Sequence, residues 1–138
     1  MTQDEEYLRL LSIFHYVVGG IAALFSLFPL IHLAIGLLFI FSPQTFADGR
    51  GGQPPVFIGW IFIIIATILI TCGLTLATLI ITTGRFLARR THYTFCLVMA
   101  GIECIFTPFG TVLGVFTLIT LMRDTVKRLF GVSVPGTI

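Results

Sequence analysis

Two ionisable side chains lie inside apolar stretches of this sequence and are the first candidates for chemistry. Glu103 is the only acidic residue deep in an apolar run, and His32 lies in the middle of another. An ionised carboxylate in hydrocarbon costs a few kcal/mol even on lenient scales, so Glu103 must be protonated, paired or in contact with water. If the helices that carry them are neighbours, His32 and Glu103 form a buried pair.

Three interpretations of Glu103 stay open: a neutral structural carboxyl, a contact with a partner subunit, and a relay of protons or cations with His32. No pair of His, Glu or Cys residues has the i,i+3 or i,i+4 spacing of helical metal ligands, so no metal site is predicted. His15 and His92 are interpreted as side chains at the membrane edges. Without a GxSxG or HExxH motif, no catalytic residue, cofactor or enzyme activity is predicted.

The composition of the chain indicates that these ionisable residues lie inside a membrane. Of the 138 residues, 57% are hydrophobic and 10% are charged, and the mean hydropathy is +1.06. A soluble domain has about 45–50% apolar and about 25% charged residues. This excludes a soluble enzyme domain and a disordered tail, and a net charge of +2 does not favour a nucleic-acid partner. Three cysteines without a CxxC motif do not favour a disulfide framework.

The apolar pattern predicts an all-α integral membrane protein, a four-helix transmembrane bundle with an N-terminal interfacial amphipathic helix. A bend is expected at Gly19–Gly20 and a kink at Pro29. The predicted elements form a single membrane domain over 1–138: an interfacial helix over 2–18, a first span over 20–41, an external loop over 42–55, a second span over 56–84, a basic cytoplasmic loop over 85–92, a third span over 94–107, a fourth over 109–122 and a cytoplasmic tail over 123–138.

The third apolar stretch decides the topology, because Pro108-x-Gly110 interrupts it near its centre. A turn there places both basic clusters on the cytoplasmic side, as the positive-inside rule favours, together with both chain termini. A single kinked helix remains the alternative. The clusters are Arg85, Arg89 and Arg90, and Arg123, Lys127 and Arg128.

Small side chains at helical spacing predict faces for helix packing. The second span carries two such faces, and one of them is free for another subunit if the other packs within the chain. A threonine stripe can also line a pore, but threonine hydroxyls bond to their own helix, which favours packing. The residues are Thr67, Thr71, Thr75, Thr78 and Thr82 on one face, Ala66, Gly73, Ala77 and Gly84 on the other, and Gly110 and Gly114 in the last span.

The segment from Arg89 to Phe130 contains Phe106-x-Pro108-x-Gly110-Thr111-x-x-Gly114 between two apolar helices. It resembles a widespread group of small bacterial membrane proteins of four spans that share an FPxGTxxG-like turn. The resemblance implies a bacterial inner-membrane location and implies no activity. His92-Tyr93 departs from the group, where an aromatic-small-Arg sequence precedes the helix.

The function expected from the sequence is non-enzymatic. It is an accessory or scaffold subunit that self-assembles or joins a larger membrane complex, with the lipid bilayer and other membrane subunits as partners. The alternative is a homo-oligomeric pore or a proton or cation pathway that uses Glu103 and His32. A membrane sensor ranks last, because the 42–55 loop offers few polar groups for a ligand.

Overall fold

The structure, a computed structural model, describes residues 2–46, 52, 55–105, 109–134 and 136, and the regular structure in these residues is entirely helical. A 3₁₀ turn, Pro43–Phe46, follows the second helix. The α-helices are α1 (Gln3–Ser26), α2 (Leu30–Phe41), α3 (Val56–Arg89), α4 (Tyr93–Glu103), α5 (Phe109–Leu121) and α6 (Asp124–Leu129).

The break in the N-terminal stretch lies at Pro29, and the predicted bend at Gly19–Gly20 is wrong. α1 continues through both glycines to Ser26. A Cβ on Gly19 would lie 2.5 Å from the Ile81 side chain of α3, so this glycine permits close packing and does not bend the helix. Proline has no N–H to donate, and the chain turns between α1 and α2 through i→i−3 bonds such as Leu30 N–H to the Leu27 carbonyl oxygen.

The structure therefore lacks the predicted boundary between an interfacial helix over 2–18 and a first span over 20–41, because α1 continues past it to Ser26. α3 is also longer than the predicted second span over 56–84. α3 runs to Arg89, so most of the predicted 85–92 loop is helical. It ends in a Schellman motif, in which Arg90 N–H bonds to the Leu87 carbonyl oxygen and Thr91 N–H to that of Phe86. Arg90 takes the left-handed φ of +54° that glycine normally supplies there.

α4 and α5 form an antiparallel hairpin, and both are shorter than the predicted spans over 94–107 and 109–122. Tyr93 Oη donates to the Leu121 carbonyl oxygen at 3.0 Å, and Thr111 Oγ1 donates to that of Cys104 at 3.0 Å. These two bonds tie both ends of the helix pair. The helices have 11 and 13 residues, and the connection between them, residues 106–108, lies outside the described residues together with most of the 47–54 segment.

The chain divides into two compact units, to each of which α1 and α3 contribute. Unit 1 comprises Met1–Ile21 and Ala77–Ile138, and unit 2 comprises Ala22–Leu76. Both sequence segments of unit 1 contribute to its apolar core. The core is formed by the start of α1, the end of α3, and α4 to α6. Its buried members are Leu8, Leu11, Leu87, Cys96, Leu113, Leu121 and Val126.

Unit 2 is held by close helix contacts at glycines. A Cβ on Gly36 of α2 would lie 2.9 Å from the Gly59 carbonyl oxygen of α3, and a Cβ on Gly59 would lie 3.0 Å from that of Gly36. Phe39 stacks on Phe62 and Phe46 beside this contact. The helix backbones approach closely because neither position carries a side chain, as in helix pairs within lipid.

Two helical stretches are long and apolar enough to cross a membrane. They are Gln3–Phe41 and Val56–Arg89, which contain 18-residue windows with mean hydropathies of 2.4 and 2.6, respectively. Tyr93–Glu103 and Gly110–Leu121 are apolar but shorter.

Candidate functional site

A histidine and a glutamate meet in the interior of unit 1. His15 Nε2 of α1 lies 3.1 Å from Glu103 Oε2 at the end of α4, and the side chains are 0% and 3% exposed. Such a pair is rare inside a protein because each charged form loses its hydration. His15 was interpreted from the sequence as a side chain at the membrane edge, and this is wrong, since the imidazole is fully buried.

The backbone fixes one of the two nitrogens of the imidazole. His15 Nδ1 lies 2.8 Å from the Leu11 carbonyl oxygen, one turn earlier in α1. A carbonyl oxygen only accepts, so Nδ1 carries a proton and donates it there. Nε2 therefore faces the carboxylate either as a bare acceptor in the neutral ring or as a second donor in the imidazolium.

The contact between the two side chains lacks the alignment of a hydrogen bond. Among the described residues, His15 Nε2 and both carboxylate oxygens of Glu103 are buried without a hydrogen-bond partner. Because the distance is short, the two groups interact electrostatically. Their unused lone pairs can accept a proton. Buried polar atoms without partners are uncommon in native proteins and concentrate at functional or strained positions.

A glycine and a serine bring α1 and α3 together at this level. A Cβ on Gly84 would lie 2.9 Å from the His15 Cβ, and Ser12 Oγ donates to the Gly84 carbonyl oxygen at 2.7 Å. The buried hydroxyls of Thr83 and Thr117 bond to carbonyl oxygens of their own helices. The protons of these hydroxyls are therefore used within their own helices.

One end of unit 1 is ionic. Asp4 at the start of α1 receives hydrogen bonds from Arg123 (3.1 Å) and from the hydroxyl of Thr125, and Glu5 pairs with Arg90 at 2.7 Å. The Thr125 hydrogen bond, with Arg123 beside it, lowers the pKa of Asp4. The backbone N–H of Thr2, and then Arg90, lower the pKa of Glu5. The ends of three helices are thus joined on the same side of this unit.

A small cleft opens at the ionic end. Its volume is about 170 Å³, and its lining combines three charged side chains with two apolar ones from the core. Leu8 and Leu87, nearly fully buried, form its apolar part. Ser12 and His15 follow Leu8 on the same face of α1 at helical spacing, so the cleft lies about 10 Å along the helix from the imidazole. The lining residues are Glu5, Leu8, Arg9, Leu87, Ala88 and Arg90.

His32 is not the partner of Glu103, which contacts His15. His32 belongs to unit 2, where its exposed ring lies 6.1 Å from the rings of Phe28 and Phe62. Among the ranges that the structure describes, it has no ionic partner. The predicted pairing was wrong because the sequence gives no helix register across α1 to α4, and because the Pro29 turn separates His32 from the part of α1 that packs in unit 1.

The small residues of α3 occupy two different environments. Ala66, Ala77 and Gly84 are buried, and Gly73 packs against Ser26, so this face is used within the chain. Thr67, Thr71, Thr75 and Thr78 are exposed, and the hydroxyls of the first three donate to the carbonyl oxygens one turn before them.

The predicted contact at the start of the last span is present in part. A Cβ on Gly114 would lie 2.5 Å from the Ala100 carbonyl oxygen, so Gly114 sets the distance between α4 and α5. Gly110 lies in the first turn of α5.

No group of three or more His, Cys, Asp or Glu side chains that could hold a metal ion occurs in the described part of the chain. Comparison with protein-family models, with curated proteins and with solved structures found no match. The geometry of the site is therefore the basis for inferring a function.

Sequence reasoning found Glu103 and missed His15, although a signal for the latter was present. Leu8, Leu11, Ser12 and His15 recur at helical spacing and mark one face of α1. The bend expected at Gly19–Gly20 assigned this face to a surface helix, so its histidine was treated as interfacial. A continuous α1 makes the same face part of a core.

Proposed function

We propose that this chain is a non-enzymatic membrane protein that binds and exchanges a proton at the buried His15–Glu103 pair. One observation carries the proposal: an imidazole nitrogen and a carboxylate oxygen lie 3.1 Å apart, almost without exposure, and neither has another hydrogen-bond partner among the described residues. Ionisable residues at membrane depth are costly and typically serve proton or ion pathways.

The charges of the pair favour one shared proton, in addition to the proton on Nδ1. With that proton the pair is neutral overall, either as imidazolium and carboxylate or as imidazole and carboxylic acid. Its loss leaves a buried anion, and a second proton leaves a buried cation; both are strongly penalised in a low-dielectric interior. Exchange therefore requires that a water-borne proton replaces the one that leaves.

The membrane location is supported by the two long apolar helical stretches. Asp4 and Glu5 mark the ionic end, and His15 follows about 15–17 Å deeper along α1. The hydrocarbon core of a bilayer is about 30 Å thick, so the pair lies near its middle. The positive-inside rule assigns the end with Arg90 and Arg123 to the cytoplasm. The resemblance of the segment from Arg89 to Phe130 implies that the membrane is a bacterial inner membrane.

Proton flux into liposomes that contain the purified protein tests the proposal. We expect a pH-dependent flux that Glu103→Gln abolishes, because an amide fills the same space and hydrogen-bonds the imidazole but cannot release a proton. His15→Gln is expected to have the same effect. His32→Gln is the matched control, since it changes an exposed histidine of unit 2 and leaves the flux intact.

Folding of each variant is checked by its helical circular dichroism and by its elution volume in detergent. Wild-type liposomes without flux above protein-free liposomes contradict the proposal, and so does a folded Glu103→Gln variant with unchanged flux.

Assembly as an accessory or scaffold subunit stays a prediction of the sequence. The exposed threonine face of α3 is compatible with it, but the hydroxyls of Thr67 and Thr71 are already bonded within the helix and point to no particular partner. The mass of the particle extracted gently from native membranes tests this prediction. A single 15.2 kDa chain contradicts it, while multiples of that mass or foreign subunits support it.

A further inference from the structure

We infer that the α4–α5 hairpin is re-entrant: it enters the membrane from the ionic side, turns within the hydrocarbon and leaves on the same side. Glu103 then lies near the deepest point of the hairpin, and the His15–Glu103 site is reached from the ionic side. This inference rests on the proposed function in one respect, the membrane location of unit 1. It differs from the sequence-based prediction that the hairpin consists of two full spans.

The lengths of the two helices are the first argument. α4 has 11 residues and α5 has 13, which correspond to about 16 Å and about 20 Å at 1.5 Å per residue. Neither covers a hydrocarbon core of about 30 Å, whereas α3 has 34 residues. Two such short spans would require severe local thinning of the bilayer. A re-entrant hairpin that reaches only half the thickness of the hydrocarbon core requires no thinning of the bilayer.

The fixed register of the hairpin is the second argument. Tyr93 and Leu121 are joined by a hydrogen bond at the open end, next to the ionic contacts of Arg90 and Arg123. Both outer ends of the hairpin therefore lie at the ionic end of unit 1. The opposite end of the hairpin lies at the depth of His15, since Glu103 contacts that residue.

The side chains near the turn are the third argument. Residues 104–114 include no charged residue, whereas Arg50 precedes α3, Arg89 is its last residue and Arg90 follows it. Ile105 is 77% exposed and Val112 is 59% exposed, so this end of the hairpin presents apolar surface. Such a surface fits hydrocarbon better than water.

The hairpin also bears on how protons reach the site from the ionic side. A cleft of about 170 Å³ lies at the ionic end, and Glu5 and Arg9 help to line it. The buried side chains of Leu8 and Leu87 also line the cleft, and Ser12 lies between Leu8 and His15 in the sequence of α1. The cleft therefore opens on the ionic side, about 10 Å along α1 from the imidazole.

Labelling of single cysteines distinguishes a re-entrant hairpin from two spans. Cys72, Cys96 and Cys104 are replaced by alanine, and one cysteine is introduced as Gly52→Cys, Ile105→Cys or Ser133→Cys. Sealed vesicles of known orientation are treated from either side with a membrane-impermeant maleimide and, separately, with a permeant one. Ser133→Cys reports the ionic side, and Gly52→Cys reports the other end of α3.

We expect Ile105→Cys to react with the impermeant reagent from both sides at least about tenfold more slowly than either control, because the reaction requires a thiolate, which hydrocarbon disfavours. The permeant reagent after detergent treatment labels it fully. Labelling of Ile105→Cys from the Gly52 side at the rate of that control shows two full spans and overturns the inference, as does fast labelling from the Ser133 side.

The same measurement separates failure of this inference from failure of the proposed function. If the Gly52 and Ser133 controls react from the same side, α3 does not cross the membrane, and the proposed location is wrong. If the controls behave as expected and Ile105→Cys reacts from the Gly52 side, only the re-entrant hairpin is wrong.

Discussion

Tyr93 Oη donates a hydrogen bond to the Leu121 carbonyl oxygen, which joins the first residue of α4 to the last residue of α5 at 3.0 Å. Leu121 is at the C-terminal end of its helix, where carbonyl oxygens have no partner within the helix. The phenol therefore satisfies an acceptor that would otherwise be buried without one. It also fixes the register in which Glu103, ten residues later, meets His15.

Tyr93→Phe is expected to lower the free energy of unfolding by about 1 kcal/mol, the usual value of one hydrogen bond to a backbone group. The ring and its contact with Phe130 are retained, so the loss reports the hydroxyl alone. Thermal unfolding in mild detergent, followed by circular dichroism, measures it. Tyr16→Phe is the control, because Tyr16 is 43% exposed; equal loss in both variants contradicts the role of the bond.

Gly114→Ala is expected to destabilise the hairpin by about 1–3 kcal/mol, because the new methyl group would overlap backbone atoms of Ala100 and Cys104. Gly101→Ala on the facing helix is the matched control. A Cβ there meets nothing within 4 Å, so this variant is neutral or slightly stabilised by the higher helix propensity of alanine. The same unfolding assay ranks the two variants, and a stable Gly114→Ala protein refutes the tight contact.

Arg90→Gly is expected to be more stable than Arg90→Gln by about 1 kcal/mol, because both lose the ion pair with Glu5 while only glycine relieves the left-handed backbone. Gly131 allows a comparison within the same chain, because it occupies the equivalent position after α6 and has a φ of +71°. Comparing the unfolding midpoints of the two variants isolates the cost of the left-handed backbone at residue 90. Equal midpoints contradict such a cost.

The contacts of Asp4 and Glu5 are expected to weaken in acid. The pKa of each carboxyl is lowered in the folded chain from its usual value, 3.8 for Asp4 and 4.5 for Glu5. A lowered pKa contributes stability above the usual value, and this stability is lost as the pH falls through the lower folded value. The difference in melting temperature between wild type and Asp4→Asn should therefore disappear between about pH 5 and pH 2.

Glu6→Gln is the control for this titration. Glu6 is exposed, and in the part of the chain that the structure describes it forms no ion pair, so its removal changes the net charge alone. A pH dependence that is the same for Glu6→Gln and Asp4→Asn would show that the acid effect is one of overall charge.

The sequence predicted the helical class, the turn within the third apolar stretch and the unusual position of Glu103, because these depend on local signals: hydropathy, a Pro-x-Gly element and one carboxyl in an apolar run. It also predicted the kink at Pro29, where the helix breaks between α1 and α2. It added a bend at Gly19–Gly20 that is absent, because the two glycines look like a flexible pair until Ile81 is known to pack on one of them. The partner of Glu103 depends on this packing. Register between helices distant in the chain leaves no local signal.

The Asp4–Arg123 contact joins residues 119 positions apart and has a consequence for biosynthesis. At a translation rate of about 5–20 residues per second, roughly ten seconds separate the two residues as they leave the ribosome. All of unit 2 is synthesised in that interval, so α1 exists before the hairpin formed by α4 and α5. The His15 imidazole therefore leaves the ribosome before its carboxylate partner exists, and it stays without that contact until Glu103 has been synthesised.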